Sequence, residues 1–358
     1  MDWIEALSLG VVQGLTEFLP VSSDGHLVLA QKAFGWWLGK KRNGAEDLFF
    51  DVMLHVGTLA AIFVHYRAVG RTGAKGLLGS DDVPPAYRRS AVVRVGILAC
   101  VATLPLVPYA LFFKHFVEQS MESLRVTGWG FIGTATALLL TTWLSRSEAG
   151  KGPSEMTWLD ALLIGLAQML APLPGVSRSG LTVAAALALG LSRAWAVGFS
   201  LLIAIPAILG AAVFELKDID PHVFSADRVA RTLAAATVAG IVGYGAIRWL
   251  VKVVRAGHLW YFSVYLVVLA VGVLTLAPAD VSAPGGSTHA RRAQALDRPV
   301  RVGGARAGAA SGQGRRVEPL DRAERSGPRA ASARAGEDPP GGLRAPRLVL
   351  GRPVASRP

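Results

Sequence analysis

Six stretches of this 358-residue chain, at about 48–69, 90–113, 125–145, 195–216, 229–252 and 259–278, are long and apolar enough to span a bilayer core. Gly and Pro recur inside them, which membrane helices tolerate better than soluble ones. Composition points the same way. Only 17% of residues are charged and the mean hydropathy is +0.41, which excludes a soluble globular fold for residues 1–278. The reading is an all-α polytopic integral membrane protein. The N-terminus carries Asp2 and Glu5 ahead of its apolar stretch, the wrong charge for a signal peptide, so this segment is expected to be retained. A single cysteine, Cys100, excludes intrachain disulfides and Cys-rich metal sites.

The net charge of +12 is unevenly spread, with +8 of it in residues 279–358. That tail holds 15 Arg, 9 Pro and 12 Gly and no aromatic residue. Such a composition buries too little apolar area to offset chain entropy, so residues 279–358 are expected to form a disordered tail after a membrane domain at 1–278. Nucleic acid is not an expected partner, because no aromatic side chains interleave the arginines. Attraction to anionic headgroups or cell-wall polymers is one reading of the tail; a dispensable extension is the other.

Two more apolar regions, 3–30 and 158–190, are broken at their centres. The first break reads Leu19-Pro20-Val21-Ser22-Ser23-Asp24-Gly25 and the second Leu173-Pro174-Gly175-Val176-Ser177-Arg178-Ser179-Gly180. Their halves are too short to span, so re-entrant helix–loop–helix hairpins are expected, with irregular backbone facing a polar cavity or buried in protein. The two regions also repeat one another. At an offset of 155 residues, Trp3, Ala6, Leu7, Gly10, Gln13, Leu15, Val21, Ser22 and Gly25 meet identical residues, and Glu5 meets Asp160. Repeats at approximately 1–145 and 156–278 would each contain one hairpin and three spans. An odd number of spans inverts the second repeat, bringing the hairpins together from opposite faces. Loops on the first hairpin's side hold 7 Lys+Arg and those on the other side 10, which by the positive-inside rule puts both termini outside.

Ionisable groups in such segments are costly and default to functional candidates. Gln13 and Glu17 share a helix face at i, i+4, and Ser22, Ser23, Asp24 and His26 follow across the break. These supply a carboxylate for metal binding or base chemistry, hydroxyls as nucleophiles and an imidazole for proton transfer. In the second break, Gly175, Ser177, Arg178, Ser179, Gly180 and Thr182 combine close backbone approach, a helix start and a guanidinium, the makings of a phosphate cradle. Plainer roles stand beside these. The hydroxyls can be helix caps, His26 a hydrogen-bonded core residue, and Glu17 with Arg178 an ion pair holding the repeats together. His55 lies within an expected span, where support or packing ranks above catalysis. His65, Arg67 and Arg71 read as interfacial anchors.

The segments Gln13 to His26 and Pro174 to Thr182 closely resemble the two signature motifs of the undecaprenyl-diphosphatase (bacitracin-resistance) family, and Phe50 to Thr58 resembles a further characteristic stretch. The resemblance covers residues 1–278. It implies hydrolysis of undecaprenyl diphosphate to undecaprenyl phosphate and inorganic phosphate in the bacterial inner (plasma) membrane, assisted by a divalent cation, Mg2+ or Ca2+. The active site would open to the outer, periplasmic face. By position, Gln13 and Glu17 match a Glu/Gln-x-x-x-Glu element acting with metal and diphosphate. Ser23 and His26 match positions implicated in catalysis, Arg178 the diphosphate-binding arginine, and Ser177 and Thr182 its polar neighbours. The expected metal ligand is Glu17, joined by Gln13 or Asp24. Asp24 departs from the pattern, where Ser or Thr is expected. It adds a carboxylate that either strengthens metal binding or repels diphosphate.

The expected partners are the polyprenyl diphosphate, membrane lipids and a second copy of the chain as a homodimer. Whether Ser23 or a water attacks phosphorus is open at this level. The main rival is a polyprenyl-phosphate transporter or flippase on the same repeats. A type-2 phosphatidic acid phosphatase is discounted because the His expected six residues after Arg178 is Ala184. A scaffold acting through its tail is the non-enzymatic alternative.

Overall fold

The computed structural model describes residues 1–38, 44–144, 150–215 and 225–276. The tail at 279–358 lies outside the described residues. In chain order the helices are α1 (Trp3–Phe18), α2 (Ser23–Leu38), α3 (Gly44–His65), α4 (Arg67–Leu77), α5 (Arg89–Thr103), α6 (Leu106–Phe112), α7 (Lys114–Glu122), α8 (Leu124–Leu144), α9 (Trp158–Gln168), α10 (Arg178–Ala188), α11 (Arg193–Glu215), α12 (Ala226–Arg255) and α13 (Trp260–Leu276). A short 3-10 turn at Pro85–Tyr87 precedes α5. Among the described residues the fold is all-helical, and the only bridge pairs Lys151 with Leu191.

Four helical segments are long and apolar enough to cross a membrane: Leu48–His65, Arg89–Tyr109, Arg193–Glu215 and Ala226–Arg255. They coincide with four of the six expected spans. The second passes through a turn at Leu104–Pro105, between α5 and α6, because proline lacks the N–H that would continue the helix. The other two expected spans fall on α8 and α13. Threonines dilute the apolar character of α8, and Thr136, Thr141 and Thr142 donate to carbonyls three or four residues back, which satisfies each hydroxyl locally. Helix α13 has 17 described residues.

Large apolar side chains face outward along these helices, including Phe63, Ile97, Leu140, Val213, Ile241 and Val268. In water this would be a liability, whereas in lipid it is the solvent-facing surface. Trp3, Trp158 and Trp260 begin α1, α9 and α13 and are exposed, as aromatic side chains at a lipid–water boundary are.

Close packing comes from small residues. A Cβ at Gly10 or Gly14 would come within 2.5 Å of the Ala235 or Ala239 carbonyl oxygen on α12, so α1 lies backbone to backbone on α12. Gly165 brings α9 onto α5 at Ala102 in the same way. Lipid tails are as apolar as leucine, so helix association in a membrane depends on such close approach. The two broken segments begin alike as well. The Asp2 backbone N–H donates to Glu5 at 3.4 Å and the Thr157 N–H to Asp160 at 2.8 Å, so the 155-residue repeat extends to helix capping.

Candidate active site

The breaks between α1 and α2 and between α9 and α10 meet tip to tip. A Cβ on Gly25 would lie 3.0 Å from the Gly175 Cα and 2.7 Å from the Phe131 ring. Gly175 has φ +83°, and a Cβ there would overlap the Thr127 carbonyl oxygen on α8. Only glycine meets both demands. Thr134 pins the same tip, donating to the Gly175 carbonyl at 3.1 Å and accepting the Ser177 N–H at 2.9 Å. Across the junction, Ser179 Oγ donates to the Leu19 carbonyl at 3.1 Å.

Each tip restarts its helix with the same device. Ser22 Oγ accepts the Gly25 N–H at 3.2 Å and Ser177 Oγ the Gly180 N–H at 3.1 Å, the N-cap bond of a helix start. Ser22 does so at φ +72°, the one described non-glycine residue with positive φ. Backbone held in that region clusters at functional sites.

Glu17, in the last turn of α1, is the hub. It is 6% exposed. Its Oε1 accepts from Arg178 Nη2 at 2.9 Å, and its Oε2 accepts from Gln13 Nε2 at 3.0 Å and Ser23 Oγ at 2.8 Å. His55 Nε2, from α3, stands 3.6 Å from Oε2 and 3.9 Å from Asp24 Oδ1. The His55 Nδ1 lies 2.8 Å from the Asp51 carbonyl, so both ring nitrogens face oxygen. Asp51 also accepts from Gln31 at 3.2 Å.

Two buried polar atoms beside this hub have no hydrogen-bond partner, Arg178 Nη1 and Gln13 Oε1. An unmet buried group costs about 1–3 kcal/mol. One is a cationic donor and the other a neutral acceptor, so the pair suits an anion next to a cation or hydroxyl. A carboxylate holding a serine hydroxyl, itself oriented by a guanidinium, is the arrangement of an activated nucleophile.

Gln13, Glu17, Ser23, Asp24 and Arg178 therefore converge. His26 does not contact Glu17 through any of its ring bonds; its nitrogens reach the Ser22 carbonyl at 2.7 Å and the Tyr265 hydroxyl at 2.6 Å. Thr182 donates to the Arg178 carbonyl at 2.8 Å and meets Ser200 Oγ at 2.6 Å. The hydroxyls of Ser22, Ser177, Ser179 and Thr182 are thus engaged within the protein, where they hold the loops that present Ser23 and Arg178. His55 joins the cluster although sequence reasoning ranked it as support; the signal for it was the resemblance of Phe50 to Thr58. Tyr265 carried no signal, since a tyrosine in an apolar helix is ordinary.

Against known proteins, the family model described as "Bacitracin resistance protein BacA" matches residues 6–272. The undecaprenyl-diphosphatase of Carboxydothermus hydrogenoformans is 39% identical over 284 residues, covering 78% of this chain and 99% of the relative. That of Nocardioides sp. is 36% identical over 284 residues, covering 79% and 99%. That of Desulfosudis oleivorans is 39% identical over 277 residues, covering 75% and 96%.

Proposed function

The chain belongs to the bacitracin resistance protein BacA family and hydrolyses undecaprenyl diphosphate to undecaprenyl phosphate and inorganic phosphate; we propose that it does so where its two hairpins meet. One observation carries the location. Glu17 of the first hairpin and Arg178 of the second are bonded at 2.9 Å, with Arg178 Nη1 buried and unpaired beside them. That nitrogen is a ready donor to a diphosphate oxygen, and the planar guanidinium can hold Glu17 and the anion together.

Ser23 is the nucleophile in this reading. Its Oγ attacks the terminal phosphorus while its proton passes to Glu17 Oε2, and the bridging P–O bond breaks to release undecaprenyl phosphate. Water then displaces Ser23 Oγ from phosphorus, giving inorganic phosphate, and Glu17 returns the proton to the serine. Arg178 and the start of α10 hold the equatorial oxygens, where charge lies in the transition state. His55 stands beside the same Glu17 Oε2, with Asp24 on its other flank.

The residues fit a divalent cation. Gln13 Oε1 is an orphaned buried oxygen, and with Glu17 and Asp24 it forms a hard-oxygen donor set suited to Mg2+ or Ca2+. Among the described residues no three His, Cys, Asp or Glu side chains form a metal site by themselves, so phosphate oxygens would complete the coordination. Bound there, the cation supplies charge neutralisation of the diphosphate.

Two re-entrant hairpins in an inverted repeat, with six spans, are the architecture we assign. Reciprocal packing supports it: α1 lies on α12 as α9 lies on α5, α3 on α12 as α11 on α5, and α8 pairs with α13. Helices α1 and α9 extend about 24 and 17 Å, short of a ~30 Å core. The more basic loops lie away from the first hairpin, which supports a plasma-membrane protein whose site faces outward. The transporter reading is not favoured, since all three relatives are named for diphosphatase activity.

The test is phosphate release from undecaprenyl diphosphate by purified protein in detergent, with and without a chelator. Release that stops on chelation and returns with Mg2+ or Ca2+ is expected. Release indifferent to chelation would remove the cation from this mechanism. A phosphoserine trapped at Ser23 supports the nucleophile, and a fully active Ser23→Ala removes it.

A further inference from the structure

The His26 imidazole is held on several sides, and the hold on one ring nitrogen comes from outside both hairpins. Nδ1 lies 2.7 Å from the Ser22 carbonyl oxygen, which can only accept, so Nδ1 carries a proton. The other nitrogen, Nε2, lies 2.6 Å from the Tyr265 hydroxyl on α13. In the neutral ring Nε2 is then the acceptor, and the tyrosine O–H donates to it. The two rings also stack, with centroids 5.7 Å apart and 16° between planes. Phe131 of α8 meets the imidazole edge-on at 5.4 Å.

Core filling does not explain Tyr265. It is 46% exposed, and Val264 and Val268 on the same helix are exposed at 55% and 68%. A residue on an outward-facing helix surface has thus turned its one polar atom onto the ring that follows Ser23 and Asp24. If stacking alone were required, phenylalanine would serve there.

We propose that Tyr265 is a positioning residue for the hydrolysis, fixing the tautomer and orientation of His26 at the start of α2. Tyr265 acts through His26, a position that the family resemblance implicates in catalysis, and not on the diphosphate. Ser22 supplies the other half of the clamp, its carbonyl being presented from a positive-φ backbone. The helix pair α8–α13 thereby contributes to a site that the repeat places on the hairpins alone. The proposal rests on the diphosphatase reading of the hairpin junction.

The experiment compares phosphate release by wild type, Tyr265→Phe, His26→Ala and the double variant, each purified in detergent and matched for thermal unfolding. Tyr265→Phe keeps the ring and removes the hydroxyl. It is expected to lower kcat about tenfold, the order a single hydrogen bond carries, with KM within about twofold. In the His26→Ala background the same substitution should add no further loss. Undiminished kcat in Tyr265→Phe, or a loss that persists in full without His26, overturns the proposal. The wild-type protein gives a reading that needs no folded Tyr265 variant. In 15N-histidine NMR, with the signal assigned by its absence in His26→Ala, a protonated Nδ1 and an unprotonated Nε2 are expected, and the opposite tautomer contradicts the clamp. Absence of phosphate release by wild type would end the diphosphatase reading itself, whereas robust turnover with an indifferent Tyr265→Phe ends only this inference.

Discussion

The two hairpins are one design used twice for different ends. Glu5 and Asp160 close matching capping contacts, Gly10 and Gly165 admit a neighbouring backbone, and Ser22 and Ser177 cap the helices that restart at the tips. The divergence sits where the tips touch. Position 23 is serine in the first hairpin, and its counterpart in the second is Arg178. Gln13 donates to Glu17, whereas its counterpart Gln168 donates to the Ala102 carbonyl at 3.4 Å. The residues that build the two loops are alike, and those that meet across the junction differ. In the proposed mechanism one loop supplies the nucleophile with its base and the other the anion clamp.

The largest effects are expected at the diverged positions. Ser23→Ala is expected to lower phosphate release about 10^3-fold or more, as loss of a nucleophile does, with little change in unfolding temperature. The next largest effect concerns the junction itself. Gly175→Ala should destabilise by about 1–3 kcal/mol, since it places a side chain at positive φ against the Thr127 carbonyl. Gly25→Ala should cost less, because its nearest obstruction is the Phe131 ring at 2.7 Å, with the Gly175 Cα at 3.0 Å, and it carries no positive φ; thermal unfolding of both in detergent measures the ranking. Smaller effects are expected at the devices the two hairpins share. Ser177→Ala should lose about 1 kcal/mol of stability. Ser22→Gly should fare better than Ser22→Ala, since glycine relieves the positive φ. Smallest of all, Lys151→Ala removes a half-exposed ion pair to Asp160 and should change stability by less than about 1 kcal/mol without altering turnover.

Much of this was legible in the sequence, for reasons particular to membranes. Apolar runs reveal four of the crossing helices directly, because lipid demands apolar side chains along a whole helix. The breaks were equally visible, since Pro20 and Pro174 each remove a backbone N–H next to a cluster of Ser and Gly. Glu17 and Arg178 stood out because a charge in such surroundings is expensive. Other features were invisible. The turn at Leu104–Pro105 sits in a run whose hydropathy continues through it. His55 and Tyr265 reach the site from α3 and α13, by helix packing that periodicity does not encode. Nor does sequence tell a structural hydroxyl from a ligand-binding one: Ser177, Ser179 and Thr182 read as a cradle, and in the fold each is bonded within the protein.

Hydrolysis is proposed to occur at the Glu17–Arg178 junction between the hairpins. Phosphate release from undecaprenyl diphosphate by purified Glu17→Ala, Arg178→Ala and the double variant, beside wild type, tests it most directly. Each single variant is expected to lose about 10^3-fold or more in turnover, and the double should be scarcely worse than either, as for residues that act as a unit. Near-normal turnover in either folded single variant would contradict it.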